Sequence, residues 1–180
     1  IQQASGVPMG DDYAPAVLFE FADFQCPHCA QFVTFFQPLI KERLVDTGLM
    51  RFVRYDFPLS NFPHSFLAAR ASRCAGDAGK YWEYHDVLYG RQPTWSAEGD
   101  PLAAFVDYAE VVGIDRAAFS QCLQSDQHAE EVTLNVRLGE SLGVRATPTL
   151  FLNGERLEVT DFADLERRVL AAAGQGAATA

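Results

Sequence analysis

The spacing of apolar and polar residues predicts two strands with a helix between them in the first third of the chain. The run AVLFEFA at 16–22 is apolar except for Glu20, which predicts a buried central strand. A helical pattern extends from a cysteine pair to about Asp46, and Pro38 within it should kink the helix. The segment 49–57 (LMRFVRYDF) has alternating, β-favouring character and stops at a proline, which predicts the second strand.

The middle of the chain is predicted to be helical throughout, and its end to contain a hairpin and a last helix. Clusters of Gly, Pro, Ser and Asp separate five predicted helices at about 64–76, 79–90, 100–111, 115–123 and 126–142. A short apolar strand at 149–152 is followed by Asn153-Gly154, a strong signal for a two-residue hairpin turn, and by a partner strand at 155–159. A final helix is predicted over about 161–173, and the small, polar tail after it is expected to fray.

This order of elements predicts an α/β fold. Strand, helix, strand, helical block, hairpin and helix follow one another without an internal repeat, so a large all-helical insertion separates the second core strand from the hairpin. The first strand–helix–strand unit requires parallel pairing with a right-handed crossover. We place the core domain at residues 1–60 and 143–180 and the inserted helical subdomain at 61–142.

Charge and length narrow the range of partners. The chain of 180 residues has a formal net charge of −10, whereas nucleic acids and anionic membranes bind clustered Lys and Arg, so we expect no nucleic-acid partner. No apolar run approaches the roughly 18–20 residues that a membrane-spanning helix needs. Since the sequence begins at Ile1 rather than Met, we interpret it as a processed or trimmed form that could have lost a signal peptide or a membrane anchor.

The strongest chemical signal is the C-P-H-C sequence at 26–29. A C-x-x-C pair forms half of a metal site, a structural disulfide or a redox centre. A zinc site would need a second pair at similar spacing, and Cys74 and Cys122 stand far apart. A bridge across so short a loop at a helix start would be strained and therefore reducible. We interpret the pair as redox-active, with no metal and no cofactor.

The positions of the two cysteines predict different roles for them. Cys26 follows the buried strand and opens a helix, where free N–H groups and the helix dipole stabilise a thiolate. Pro27 fits the first helical turn because it has no N–H to leave unsatisfied. His28 can lower the pKa of Cys26 through a hydrogen bond or a positive charge. Cys29 lies one turn further in and should be more buried, which suits it to resolving a mixed disulfide.

Two segments, FADFQCPHC at 21–29 and GVRATPTLFLNG at 143–154, resemble the DsbA-like branch of the thioredoxin superfamily. The C-P-H-C tetrapeptide is the one that DsbA carries, and the resemblance covers nearly the whole chain because this branch places its helical insertion in the same part. It implies a thioredoxin fold and protein thiol–disulfide oxidoreductase activity. It also implies an extracytoplasmic location, on the periplasmic or cell-envelope side, a membrane-bound redox partner and a monomer.

The resemblance further assigns substrate-binding residues next to the predicted hairpin. It implies a cis peptide bond before Pro148, facing the cysteine pair, with the backbone of Thr147 aimed at an incoming peptide that pairs with it as an added strand. A trans proline at the start of an edge strand is the alternative. Phe24 and Phe62 are candidates for an apolar rim around Cys26 that receives unfolded, cysteine-containing proteins.

Glu20 lies six residues before Cys26, a spacing at which this family often places a carboxylate beneath the active site. Buried there, it would have a raised pKa and could accept the proton of Cys29 when a mixed disulfide resolves. If the strand instead alternates simply, Glu20 faces solvent and Phe19 and Phe21 are buried on the other face.

Cys74 and Cys122 lie in apolar surroundings on two of the predicted insertion helices. We predict a structural disulfide that staples the insertion and adds roughly a few kcal/mol of stability; two separate buried thiols are the alternative. His64, His85 and His128 have no ligand-like spacing and are predicted to lie at helix surfaces or ends.

Three functions are consistent with the sequence. The first is an oxidase that introduces disulfides into reduced, cysteine-containing exported proteins and is reoxidised by a membrane-bound oxidoreductase. The second is a reductase or isomerase with the same fold, since residues around Pro27-His28 also set the reduction potential. The third is a thiol-based metal-binding protein, against which the small number of methionines and the lack of a His-rich tract count.

Overall fold

The computed structural model describes the backbone of residues 3–178 and the side chains of residues 3–174. The strands are β1 (Val7–Met9), β2 (Ala16–Ala22), β3 (Met50–Asp56), β4 (Thr149–Leu152) and β5 (Glu155–Leu157). The helices are α1 (Pro27–Phe35), α2 (Gln37–Ile40), α3 (Ser65–Asp77), α4 (Tyr81–Gly90), α5 (Gln92–Trp95), α6 (Leu102–Val111), α7 (Arg116–Gln124), α8 (Ala129–Ser141) and α9 (Phe162–Ala178), with a π-helical segment (Lys41–Val45) after α2. None of the helices in this described part is long and apolar enough to cross a membrane.

The strands form one mixed sheet in the order β1-β3-β2-β4-β5. β2 and β3 are parallel, and in their register Glu20 lies opposite Arg54. The other three pairings are antiparallel. Asn153 and Gly154, between β4 and β5, have φ values of 49° and 88°, the positive values that a two-residue turn between twisted strands requires. The sheet confirms the predicted α/β class and the parallel first unit.

The long helix predicted up to Asp46 is interrupted at Phe36, just before Pro38, where the kink was predicted, while the backbone at Phe36 stays helical. α1 ends at Phe35, and α2 begins again with Pro38 in its first turn. A proline has no N–H to donate to the preceding turn, so the hydrogen-bond ladder restarts at this point. The two helices still pack on the same side of the sheet, because Phe32 and Ile40 belong to one apolar cluster with residues of β2 and β3.

Two further helices differ from the prediction. α5 was not predicted; it is anchored by Trp95, which is fully buried and donates its indole N–H to the Leu88 carbonyl oxygen at 2.7 Å. α9 continues to Ala178, past the expected end at 173, because the alanine-rich sequence favours helix. The predicted end of the helix at 173 is therefore too early, the fraying of the tail stays a prediction, and the last two residues lie outside the described part.

Helices α3 to α8 occupy the interval between β3 and β4, in which the inserted subdomain was predicted. Their shared core is built on large aromatic side chains, including Tyr84, Trp95, Phe105 and Phe119. The same apolar cluster continues to the end of β2 and includes both Cys26 and Cys29. The cysteine pair therefore lies at the junction between the sheet and the insertion, while the exact subdomain boundaries stay a prediction.

The packing of α8 against the sheet predicts a stability difference between two glycines. A Cβ at Gly139 would lie 2.6 Å from ring atoms of Phe57 and 3.1 Å from the ring of Phe21. Gly139→Ala should therefore lower the free energy of unfolding by roughly 1–3 kcal/mol through overpacking. Gly174→Ala is the matched control: outside its own helical turn, no atom of the described residues lies within 4 Å of its added Cβ, and it should raise stability by up to about 1 kcal/mol. Equal midpoints for the two variants in urea unfolding would contradict this packing.

Candidate active site

Cys26 lies shortly after the end of β2, at the start of α1. Cys26 is the N-cap residue of α1, with extended backbone, and Pro27 occupies the first helical position. Both cysteines are free thiols. Cys26 is 4% exposed whereas Cys29, one turn further along, is 0% exposed, and the Cys29 sulfur accepts a hydrogen bond from the backbone N–H of Asp23 at 3.5 Å. An external sulfur can thus approach only the first of the pair.

Hydrogen bonds to the Cys26 sulfur lower its pKa from 9.0 to about 5. The largest contribution is the thiol of Cys29, which donates to the Cys26 thiolate; the side chain of Thr147 and the backbone N–H groups of Cys29 and His28 add to it, against the opposing effect of burial. Burial and the same hydrogen bond raise the pKa of Cys29 well above its ordinary value. The pair is therefore asymmetric, with a ready thiolate at Cys26 and a protonated thiol at Cys29.

The loop before β4 faces Cys26 from the opposite side. The Thr147–Pro148 peptide bond is cis, and the Cys26 thiol donates to the Thr147 carbonyl oxygen at 3.4 Å. The buried Thr147 hydroxyl has no hydrogen-bond partner among the described side and main chains in this thiol form. It is therefore free to turn its proton toward the thiolate, which accounts for its effect on the pKa of Cys26.

Glu20 lies beneath the pair and is fully buried, so the solvent-facing alternative is wrong. Burial raises the pKa of Glu20 from 4.5 to about 7; the Arg54 charge opposes this and the Cys26 thiolate reinforces it. Within the described residues neither carboxylate oxygen accepts a hydrogen bond, and the nearest charge is Arg54 Nε at 3.9 Å. A buried carboxyl group that no donor holds in its ionised form can exchange a proton near neutral pH.

Arg54 is a site residue that the sequence analysis missed. Its guanidinium is fully buried and donates to Asp56 Oδ1 at 2.9 Å, to the Tyr81 hydroxyl at 3.0 Å and to the Tyr89 hydroxyl at 3.2 Å. It also lies 4.0 Å from the centre of the Phe24 ring. The signal in the sequence was a basic residue in a strand predicted to pair with the strand that carries Glu20.

Asp23 and Gln92, also missed, fix the loop that carries Cys26. The Asp23 carboxylate accepts hydrogen bonds from the Gln25 N–H at 2.8 Å, from the Leu59 N–H at 2.8 Å and from the Ser65 hydroxyl at 2.5 Å. The Gln92 side-chain amide donates to the Phe24 and Cys26 carbonyl oxygens at 2.6 and 3.0 Å. Two insertion residues, Ser65 and Gln92, therefore bind the active-site loop.

The structure corrects the expected position of Phe24. Phe24 is 1% exposed, because its ring packs between the Arg54 guanidinium and the rings of His85 and Tyr89. It therefore cannot form part of a rim that receives substrates. His85 is likewise buried rather than at a helix surface, and burial lowers its pKa to about 4.

An apolar groove lies instead on the other side of the cysteine pair. It has a volume of about 470 Å³ and runs between α1 and the β4–β5 hairpin. Its lining residues include His28, Phe35, Phe36, Pro148 and Leu157. Phe35 is 67% exposed, which is a large apolar area to leave in water next to a reactive cysteine.

The other two cysteines form a disulfide. Cys74 on α3 and Cys122 on α7 are joined, with their Cα atoms 5.9 Å apart. The bridge cross-links two insertion helices. His128 lies beside it, just before α8.

Known proteins share the fold described above. A family model described as thioredoxin matches residues 2–170. The chain belongs to the thioredoxin family. Its fold is also that of alpha-DsbA1 from Wolbachia pipientis, with a TM-score of 0.86 and 22% identity over 99% of this chain and 96% of that one. The chain is thus a member of the thioredoxin superfamily with the fold of a DsbA protein, and the predicted fold with its helical insertion is confirmed.

The curated relatives carry two kinds of name. Na(+)/H(+) antiporter NhaA 3 of Salinispora tropica is 34% identical over 150 residues, which cover 82% of this chain but 21% of that protein. Disulfide bond formation protein D of Bacillus subtilis is 27% identical over 161 residues, covering 88% of this chain and 71% of that protein. The chain thus spans about a fifth of the length of the antiporter relative and most of the length of the disulfide-forming one.

The asymmetry of the pair predicts a specific titration. The rate of alkylation of the reduced protein by iodoacetamide should rise with pH around a midpoint of about 5. Cys29→Ala should move that midpoint upward, because it removes the donor that contributes most to the thiolate, and Thr147→Val should move it upward by less. Cys26→Ala, the control, should abolish the low-pH reaction. A wild-type midpoint near the ordinary value of 9.0 would contradict the geometry.

Burial of Glu20 predicts a pH-dependent stability. Folding favours its protonated form, so the reduced protein should lose stability as the pH rises from about 4.5 through about 7. Glu20→Gln removes this loss, and its stability relative to wild type should increase by roughly 3 kcal/mol between pH 4.5 and pH 8, at about 1.4 kcal/mol per pKa unit. Glu42→Gln, at an exposed side chain, is the control in urea unfolding at both pH values. A pH-independent difference for Glu20→Gln would show that the carboxyl is not titrating as described.

Proposed function

We propose that the chain is a thiol–disulfide oxidoreductase that acts as an oxidase of protein thiols through Cys26 and Cys29. The observation that carries this proposal is the low pKa of Cys26 beside the raised pKa of Cys29. A thiolate stabilised in the folded protein favours the reduced pair over the disulfide, so the disulfide is a strong oxidant. The names of the disulfide-forming relatives point the same way.

The oxidised pair transfers its disulfide in two exchanges. A substrate thiolate attacks the Cys26 sulfur, a mixed disulfide forms, and Cys29 leaves as a thiolate that takes up a proton. A second substrate thiolate then attacks the substrate sulfur of the mixed disulfide. The substrate leaves with a new disulfide, and Cys26 leaves as a thiolate, which its low pKa makes a good leaving group.

Glu20 supplies the proton that Cys29 needs. With a pKa of about 7 the carboxyl group is substantially protonated at neutral pH, and its charge acts on Cys29 through space. Since no hydrogen bond joins the two groups within the described residues, the proton passes to the Cys29 thiolate through an intervening water. In the reverse exchange, when Cys29 resolves a mixed disulfide, Glu20 accepts the proton back. Pro27 and His28 shape the first turn of α1, and the His28 N–H donates to the Cys26 thiolate.

The substrates in this proposal are reduced, unfolded, cysteine-containing proteins on the extracytoplasmic side of the membrane. An extended chain pairs with the backbone of Thr147 beside the cis Pro148 and lays apolar side chains into the groove at Phe35 and Leu157. The protein acts as a monomer and is reoxidised by a membrane-bound oxidoreductase. Antiporter activity is not proposed, because the chain matches only 21% of the protein with that name.

Net disulfide transfer tests the oxidase function directly. Stoichiometric oxidised protein, mixed with reduced and denatured ribonuclease under anaerobic conditions, should lose its own disulfide as substrate thiols disappear. Cys26→Ser and Cys29→Ser should each abolish the transfer, whereas Cys74→Ala/Cys122→Ala, with the other disulfide removed, should retain it. The reverse mixture, of reduced protein with native ribonuclease, should leave the substrate disulfides intact. Reduction of native ribonuclease without any transfer in the forward direction would instead identify a reductase.

A further inference from the structure

Outside the active site, four side chains with metal-binding atoms converge where α3, α7 and the start of α8 meet. They are Cys74 and Asp77 on α3, Cys122 on α7 and His128 just before α8. The two sulfurs and a ring nitrogen of His128 all lie within 4.8 Å of one another. Asp77 Oδ2 lies 2.8 Å from His128 Nε2 and 3.7 Å from the Cys122 sulfur.

This set suits zinc in number, type and spacing. Zinc prefers four tetrahedral ligands drawn from thiolate, imidazole and carboxylate, and bond lengths of about 2.0–2.3 Å separate the ligand atoms by roughly 3.3–3.8 Å. After the Cys74–Cys122 disulfide is reduced, rotation of the side chains can bring the ligand atoms from their present separations to the separations that zinc requires. The Cα atoms of Cys74 and Cys122 are 5.9 Å apart, so both thiolates can reach one ion without movement of the helices.

The orientation of His128 is a second, independent observation. Its Nδ1 lies 2.9 Å from Glu131 Oε2, while the other Glu131 oxygen accepts from Arg73 Nη1 at 2.9 Å and from the Ser5 hydroxyl at 2.6 Å. Metal-binding histidines commonly donate their other N–H to a carboxylate, which fixes the ring and makes the ligating nitrogen more basic. Because Glu131 is itself held by Arg73 and Ser5, it fixes the His128 ring with Nε2 directed toward Asp77 and the two sulfurs.

The cluster is open to solvent. A cavity of about 360 Å³ reaches it and is lined by Cys74, Asp77, Cys122 and Gln127 among others. Asp77 is exposed and Cys122 half-buried, so an ion can enter from water. The Gln127 side-chain amide donates to Asp77 Oδ2 at 2.8 Å and orients the carboxylate.

We propose that the reduced insertion binds one Zn²⁺ through Cys74, Cys122, His128 and Asp77, and that this ion and the Cys74–Cys122 disulfide exclude each other. A dithiol reductant gives the disulfide two electrons and two protons and becomes a disulfide itself. Zn²⁺ then displaces the two thiol protons. In the other direction a disulfide oxidant takes two electrons from the thiolates, the S–S bond forms and the ion is released.

Both the disulfide and the bound zinc ion cross-link α3 to α7. The two helices therefore stay joined whether the insertion is oxidised or reduced. The sequence alone gave no reason to expect a metal, because Cys74 and Cys122 are separated by 48 positions along the chain. The proposal is also independent of the oxidase function, since it involves neither Cys26 nor Cys29.

The test uses the full chain with Cys26→Ala and Cys29→Ala, so that the active-site thiols cannot bind metal. The protein is reduced, freed of reductant under anaerobic conditions, and titrated with Co²⁺ and then with Zn²⁺. One Co²⁺ per chain should bind, with the visible absorption of tetrahedral cobalt and thiolate charge-transfer bands, and one equivalent of Zn²⁺ should bleach both. The disulfide form should show neither signal.

Variants separate this site from adventitious binding. Glu131→Gln should weaken zinc affinity about 10- to 100-fold through the lost support of His128, and Cys74→Ser should weaken the thiolate bands. His64→Gln is the matched control, because the ring of that half-buried histidine bonds to the Glu98 carbonyl oxygen instead, and it should bind as tightly as the parent. Circular dichroism checks that each variant folds. No tetrahedral cobalt absorption in the reduced parent, equal binding by the disulfide form, or full affinity in His128→Gln would each overturn the proposal.

Discussion

The hydrogen bonds that converge on the Cys26 sulfur are the interaction on which the rest of the site depends. Their donors come from α1 and from the loop before β4, two segments about 120 positions apart in the chain that only the sheet brings together. β2 lies between β3 and β4, so it can deliver Cys26 to the start of α1 while β4 carries Thr147 to the same point. Moving either segment by about 1 Å would weaken these hydrogen bonds, because their strength depends steeply on distance and angle.

The charges beneath the cysteines show how the fold supports this arrangement. Buried ions destabilise a protein unless partners compensate them, and Arg54 is compensated by Asp56, two tyrosine hydroxyls and the face of Phe24. Asp56 in turn accepts a hydrogen bond from Arg73 of α3 at 2.7 Å, which ties the sheet to the insertion. Glu20, by contrast, receives no hydrogen bond from the described residues on either carboxylate oxygen. The proposed exchange therefore changes the protonation of a carboxyl group that no hydrogen bond holds in its ionised form.

Local patterns in the sequence were sufficient for the main strands, for the hairpin turn and for the position of the Cys26–Cys29 pair at the start of a helix. The apolar run of β2, the Asn153-Gly154 turn and the C-P-H-C segment each carry their signal within a few residues. What the sequence could not reveal depends on contacts between distant segments: the burial of Phe24 under α4, the placement of Arg54 opposite Glu20, and the anchoring of the active-site loop by Gln92. The meeting of His128 and Asp77 with the second pair of cysteines belongs to the same class, because four residues spread over 55 positions come together only when the insertion packs.

The reduction potential of the Cys26–Cys29 pair tests the central claim most directly. Equilibration with glutathione buffers, followed by quantification of the reduced and oxidised protein, measures how far the folded structure favours the Cys26 thiolate over the disulfide. The account predicts a potential above roughly −200 mV, on the oxidising side of the glutathione couple. A potential below about −270 mV would mean that the hydrogen bonds to Cys26 do not make the disulfide an oxidant, and would contradict the proposed direction of electron flow.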